Sequence, residues 1–248
     1  MKRILIAGES WMSYTTHVKG FDAFYTSTYE EGVKWLQDAL IQGGYEVDFM
    51  PNHKASAEFP STMESLSRYD ALFLSDIGSN TLLISDKTFI HSQCMPNRCD
   101  LIKDYVLGGG GFCMVGGYLS FSGIDGKARY GQTAVAEVLP VRIFDADDRV
   151  ELPQGAAPVV TAKEHPILKN IPKEWPCLLG YNKTGVLDGG DVIATIHGDP
   201  FVAAKQFGQG RSVAFTSDCS PHWAPPAFVD WPYYKVFWKN VADYLTAE

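Results

Sequence analysis

Short, almost wholly apolar runs alternate along the first half of the chain with stretches whose apolar residues recur every three or four positions. Arg3–Gly8, Asp70–Asp76 and Phe112–Val115 are the clearest runs. Each suits a strand buried on both faces of a parallel sheet. Between them, Val33, Leu36 and Leu40 fall at helical spacing, and Gly43-Gly44 ends the pattern. Ser27 with Glu30, or Thr28 with Glu31, offers that helix a capping box. Tyr45, Val47 and Phe49 alternate as a further strand, and Ser61–Glu64 caps a short helix. Asn97 with Asp100 opens a helix through Leu101, Ile102, Tyr105 and Val106, which runs into the glycines at 108–111. The order β-α-β-α-β-α-β with short connections predicts parallel strands carrying helices on both faces. Three stretches break the pattern. Ser13–Thr28, polar and aromatic, reads as a long functional or mobile loop, Pro51–Pro60 as loop, and Thr81–Pro96 as irregular chain.

The second half reads differently. A short helix over Thr133–Val138 stops at Leu139-Pro140-Val141, and Val150–Gly190 is proline-punctuated and without period, save for a helical turn at Glu164–Leu168. Val192–His197, Phe201–Phe207 and Arg211–Ser217 are strands joined by glycine-bearing links too short for crossovers, hence antiparallel hairpins. Tyr234, Phe237, Trp238, Val241, Tyr244 and Leu245 mark a terminal amphipathic helix. With no repeat and no linker, residues 1–248 are expected to form one α/β domain with a mostly parallel, mixed sheet.

Charge narrows the partners. The 248 residues carry a formal net charge of −8, with 46% hydrophobic and 20% charged positions. That balance supports a packed core and argues against nucleic acid or an anionic membrane as partner, since both demand a basic footprint. No run approaches the roughly 18–20 apolar residues of a membrane span. The apolar run before Glu9 is too short for a signal-peptide core. Five cysteines at irregular spacings fit a reducing cytoplasm better than a disulfide framework. Cys94 and Cys99 lack a second knuckle, so no metal is expected there, and nothing calls for a cofactor. Trp223, Trp231, Tyr233, Tyr234 and Trp238 suit either the core or a contact between copies in a homo-oligomer.

In open α/β sheets, ligand chemistry gathers beyond the carboxyl ends of the strands. The ends converging here are Glu9-Ser10, Asp76, Gly116-Gly117-Tyr118 with Ser120, and Asp218-Cys219 with His222. Glu9 and Asp76 could orient a donor or act as general bases, or simply cap loops. Gly116-Gly117 lets the backbone turn sharply and offers amides to an oxyanion or phosphate, or serves close packing. Tyr118 and Ser120 could hydrogen-bond a small-molecule ligand. A thiol at Cys219 near the His222 imidazole, with Asp218, suggests nucleophilic catalysis, weighed against plain structural packing.

The glycine strand with its turn at Gly116-Gly117-Tyr118-Leu119-Ser120-Phe121, Glu164-His165-Pro166-Ile167-Leu168, Gly208-Gln209-Gly210-Arg211 and Ser217-Asp218-Cys219-Ser220-Pro221-His222-Trp223 occur in an order that resembles the class I glutamine amidotransferase-like superfamily. The similarity is to its "putative glutamine amidotransferase" branch, related to trehalose-utilisation-type proteins. It spans nearly the whole chain. It implies a flavodoxin-like three-layer α/β/α sandwich. It also implies a nucleophilic cysteine at the elbow after the central strand, backbone amides as oxyanion hole, and a later His and Glu. In this chain the elbow falls on Gly116 or Gly117, Cys113 lies too early, and no His-x-Glu pair follows the last strands. The expectation is therefore a small-polar-metabolite-binding protein without the usual glutaminase triad. The alternative is a divergent hydrolase or amidase using Cys219 or His222 with Asp218, Glu9 and Asp76.

Overall fold

A computed structural model describes residues 1–247. Its first strand, β1 (Arg3–Gly8), leads into a two-stranded ribbon, β2 (Ser10–Lys19) and β3 (Asp22–Glu31), before helix α1 (Lys34–Gln42). Then follow β4 (Glu46–Met50), α2 (Asn52–Glu58), α3 (Met63–Leu66), β5 (Ala71–Ser75), α4 (Ser79–Leu83), α5 (Asp86–Phe89), α6 (Arg98–Leu107) and β6 (Gly111–Val115). The second half adds β7 (Val141–Arg142), β8 (Arg149–Ala156), β9 (Val159–Val160), β10 (Leu178–Asn182) and β11 (Gly185–Val186). It closes with β12 (Asp191–Ile196), β13 (Asp199–Phe207), β14 (Gly210–Phe215), α7 (Pro226–Val229) and α8 (Tyr234–Leu245).

The central sheet has eight strands in the order β4-β1-β5-β6-β14-β13-β12-β9. From β4 to β14 all pairings are parallel; from β14 to β9 they are antiparallel. This is the expected flavodoxin-like α/β architecture with hairpin strands added. The alternation of strand side chains makes the layers. Ile4, Ile6, Phe73, Val115 and Phe215 point into one core, shared with Leu36 and Leu40 of α1 and Trp238 and Val241 of α8. Leu5, Ala7, Leu72, Met114 and Ala214 point into the other, shared with Ala55 of α2 and Ile102 and Val106 of α6. Asn97 caps α6 through Oδ1, as its position before the periodic run requires. No helix among the described residues is long and apolar enough to cross a membrane.

Four expectations fail. Ser13–Thr28 is not a loop but most of the β2–β3 ribbon, so Thr28 and Glu31 sit in a strand and α1 begins with no side-chain cap. Pro51–Pro60 contains α2, started after Pro51 rather than by a Ser or Asp cap. Thr81–Pro96 holds the rest of α4 and all of α5. Val150–Gly190 contains most of β8 and all of β9, β10 and β11; β8 and β10 are an antiparallel pair whose register shifts between Leu178 and Gly180, which blurs the period in sequence.

Candidate functional site

Strands β1, β5, β6 and β14 end side by side, and the first three end in residues of left-handed or glycine-only backbone conformation. Glu9 after β1 and Asp76 after β5 hold φ of 48° and 45°, the left-handed region that side chains other than glycine enter at about 1–3 kcal/mol each. The surrounding hydrogen bonds hold them there. Glu9 N–H donates to Ser75 O (2.7 Å), and Asp76 N–H donates to Ser120 Oγ (3.1 Å).

The elbow after β6 is closed to a nucleophile. A Cβ built on Gly117, whose φ is 142°, would lie 2.9 Å from Asp76 Oδ1 and 3.0 Å from Asp218 Oδ1. The two carboxylates thus fill the space an elbow side chain would enter, with their Oδ1 atoms no more than about 6 Å apart. On Gly116 a Cβ would meet Asn182 Oδ1 and the backbone of Thr216 and Ser217 at 2.6–2.7 Å. The elbow amides are occupied as well. Gly116 N–H donates to Phe215 O (2.7 Å) and Gly117 N–H to Asn182 Oδ1 (2.9 Å). The expectation that Gly116-Gly117 supplies free amides to a ligand is therefore corrected: the fold uses both.

Asn182, fully buried in β10, is the residue that locks the turn. Its Nδ2 donates to Gly117 O (3.0 Å) and to Asp148 Oδ1 (2.9 Å). Asp148 in turn accepts from Ser122 N–H (2.8 Å) and Gly123 N–H (3.0 Å), fixing the loop beyond the elbow.

Around this turn the open part of the site is polar. Asp218 Oδ2 accepts from the His222 side, Nδ1 at 2.7 Å, and from Trp223 N–H at 3.0 Å. Asp218 is buried, while the His222 side chain is 46% exposed. The Tyr118 ring meets His222 edge-on at 4.6 Å. Tyr118 OH and Trp223 Nε1 both donate to Glu151, at 3.1 and 3.0 Å, and the Arg149 guanidinium stands 5.2 Å over the Tyr118 ring. Asp76 Oδ1 accepts from Leu119 N–H (2.6 Å). Beside Leu119 a cavity of about 540 Å³ opens, lined also by Gly78, Asn80, Lys127, Arg129 and Gln132.

Proton affinities follow from burial and crowding of acids. Burial, then the neighbouring Glu9 charge, pushes the Asp76 carboxyl up to about 6. Burial likewise raises Asp218 against the pull of His222, and burial followed by the Asp218 charge raises Glu9. The hydrogen bond to Asp218 raises His222 above its ordinary value, opposed by partial desolvation.

Of the residues named from sequence, Asp76, Gly117, Tyr118, Asp218 and His222 come together. Four others do not reach the opening. Glu9 is 4% exposed, its carboxylate sealed by hydrogen bonds from Ser75 Oγ and Ser220 Oγ, with Gly32 packed against it. Ser10 Oγ accepts from Asn52 N–H (2.8 Å) and anchors α2. Ser120 Oγ is buried and donates to Val115 O (2.5 Å). The Cys219 sulfur is fully buried, 3.7 Å from Ser75 Oγ, and burial pushes its thiol well above the ordinary range. It has neither the thiolate nor the access a nucleophile needs, which corrects the proposed Cys219–His222 pairing. Glu151, Arg149 and Asn182 were not anticipated. Arg149 and Glu151 alternate with Val150 and Leu152, a period-two signal for β8. Among the described residues no group of three or more His, Cys, Asp or Glu is placed to hold a metal.

Comparison with known proteins agrees with this frame. The Cytoplasmic Protein STM3548 from Salmonella typhimurium is 44% identical over 98% of each chain, with a TM-score of 0.94. The Cytoplasmic Protein STM1381 from Salmonella typhimurium LT2 is 49% identical over 98% of this chain and 99% of its own, also with a TM-score of 0.94. A thua-like protein from Parabacteroides merdae ATCC 43184 shares the fold at 14% identity, with a TM-score of 0.56 over 99% of this chain and 90% of its own. No curated protein matches. The model of the family described as "Putative glutamine amidotransferase" matches residues 3–247, and the chain belongs to that family.

Proposed function

We propose that the chain binds a small polar metabolite at the carboxyl edge of its parallel strands and lacks glutaminase activity. It works in the cytoplasm, in keeping with the description of its two Salmonella relatives. The observation that carries this reading is the filled elbow. At Gly117 the place of a nucleophilic side chain is taken by Asp76 and Asp218, and the amides that would stabilise an oxyanion are bonded to Phe215 and Asn182. Asp76, Asp218 and Glu151 instead present acceptors, with His222, Tyr118 and Arg149 beside them. That set favours a hydroxyl-rich or amino-bearing molecule; the neighbouring cavity of about 540 Å³, within the roughly 300–1,000 Å³ of small-molecule sites, is lined by Leu119, Asn80, Lys127 and Arg129 and by none of these six side chains.

The test is a thermal-shift and calorimetric panel of polyols, sugars and amines against carboxylates and nucleotides. Binding is expected in the first group and lost in Asp76→Asn and His222→Gln. Glutamine should release no ammonia, and Gly117→Cys should not restore release. Ammonia from glutamine, or a ligand indifferent to both variants, would refute the proposal.

A second reading, a divergent hydrolase or amidase, rests on the 2.7 Å Asp218–His222 bond. Asp218 holds Nδ1, leaving Nε2 as a base for a bound water, and Asp76, which like Asp218 lies against Gly117, is the candidate acid. Cys219 and Glu9 have no part in it. Turnover in a broad hydrolase screen, abolished in His222→Gln, would select this reading over plain binding.

A further inference from the structure

Among the described residues, the hydrogen bonds and ring contacts that tie the β2–β3 ribbon to the rest of the protein lie near its root, where Asn52 Nδ2 donates to Ser10 O (2.6 Å) and Tyr29 meets His53 edge-on at 5.1 Å. Beyond that it stands alone, and its register sorts the side chains cleanly. One face carries the pairs Trp11–Glu30, Ser13–Thr28, Thr15–Thr26, His17–Phe24 and Lys19–Asp22; it holds the ribbon's charges beyond the root, and its two aromatics are engaged, Trp11 Nε1 donating to Glu30 and Phe24 stacked on His17 beneath the Lys19 ammonium. The other carries Met12–Tyr29, Tyr14–Ser27, Thr16–Tyr25 and Val18–Ala23, with Phe21 at the tip and no charge beyond the root. Tyr14 is 78% exposed, Tyr25 76% and Val18 70%, and the Phe21 side chain is wholly in solvent. An isolated two-stranded ribbon is marginal in water, and a bare apolar surface of this size marks a contact surface.

We propose that this uncharged face docks on the same face of a second copy of the chain, making a two-fold, ribbon-mediated dimer. Three features choose a second copy. With aromatic side chains worth roughly 150–250 Å² each, the exposed parts of Met12, Tyr14, Val18, Phe21, Tyr25 and Tyr29 come to about 700 Å², close to the roughly 800 Å² per partner of a standard interface. A face without charge meets its own copy without like-charge repulsion, as a self-complementary contact requires. Ten-residue strands at about 3.3 Å per residue extend roughly 33 Å, several times the ~8–10 Å screening length. The arms therefore hold apart the bodies of two chains that each carry a net −8.

Sedimentation equilibrium on the full chain between about 1 and 100 µM tests this. The expected mass is twice 27.4 kDa, undiminished by added salt. Tyr14→Asp with Tyr25→Asp should weaken association at least 100-fold while leaving the circular dichroism and melting of the body in place. Val18→Lys is a milder variant with the same expected direction. Thr15→Asp on the polar face should leave the dimer intact. A wild-type monomer at 100 µM overturns the proposal and leaves the face to an unlike protein or a membrane. A dimer that survives both apolar-face variants, or is lost equally in Thr15→Asp, also overturns it.

Discussion

Replacing Asn182 by alanine tests whether the elbow is held by one buried amide. The change removes the acceptor of Gly117 N–H and the donors to Gly117 O and Asp148 Oδ1, all at 2.9–3.0 Å. The losses are unequal. Gly117 O keeps a long contact from Ser120 N–H at 3.4 Å, and Asp148 keeps its two backbone donors, whereas Gly117 N–H is left with nothing. An orphaned buried donor costs about 1–3 kcal/mol, and losing a hydrogen bond to a carboxylate about 1.5–3 kcal/mol. The expected destabilisation is on the order of 4 kcal/mol, or roughly 8–16 °C in Tm for a chain of this size. Urea unfolding followed by tryptophan fluorescence measures it. Asn182→Asp gives an internal control. It preserves the acceptor for Gly117 but sets a second carboxylate against Asp148, so its deficit relative to wild type should shrink as pH falls and one of the two is protonated. A loss below about 1 kcal/mol in Asn182→Ala would refute the argument that this amide holds the turn.

Three further outcomes follow from the site. Iodoacetamide on the native protein should label the exposed Cys94 and Cys177 and leave the buried Cys99, Cys113 and Cys219 until denaturant is added; rapid, selective labelling of Cys219, read by mass spectrometry, would contradict its burial. Because Asp76 is raised to about 6 from 3.8, the folded state holds its proton more tightly, so stability falls as pH rises between about 4 and 6. Asp76→Asn keeps the acceptor for Leu119 and should flatten that fall by on the order of 2 kcal/mol in pH-dependent urea titrations; an unchanged profile would count against it. The His222 ring should titrate above the ordinary ~6.5, its pairing complete below that value and lost as pH rises through the folded one. Asp218→Asn should return the NMR-observed value toward normal.

The buried strands were legible because a strand covered on both faces must be apolar throughout, as Ile4–Ala7 and Leu72–Leu74 are. The elbow was legible because no other residue than glycine fits between Asp76, Asp218 and Asn182. The ribbon was not read, although Gly20 sits where a two-residue hairpin turn demands positive φ, here 65°. Its strands alternate aromatic and threonine residues with serine and histidine, a pattern that composition alone renders as loop. Nor does sequence tell Asp76, whose Oδ1 lies beside Gly117 and accepts from Leu119 N–H, from Glu9, which is sealed. Both end apolar strands, and only the packing of Gly32, Ser75 and Ser220 separates them. Cys219 beside His222 misled for a related reason: the turn at Ser220-Pro221 points one side chain inward and the other out.

The place of β14 between β6 and β13 also orders events during synthesis. β6, apolar on both faces, pairs with β5 on one side and waits on the other for Arg211–Phe215, made long afterwards. Phe215 and Asn182, the partners of the elbow amides, emerge late as well. Contacts of such sequence separation form slowly, and until they form the nascent chain presents an unpaired apolar edge that invites aggregation. A ribosome-bound chain halted before Gly210 would thus be a client for chaperones, its elbow still open until the last parallel strand had been laid in.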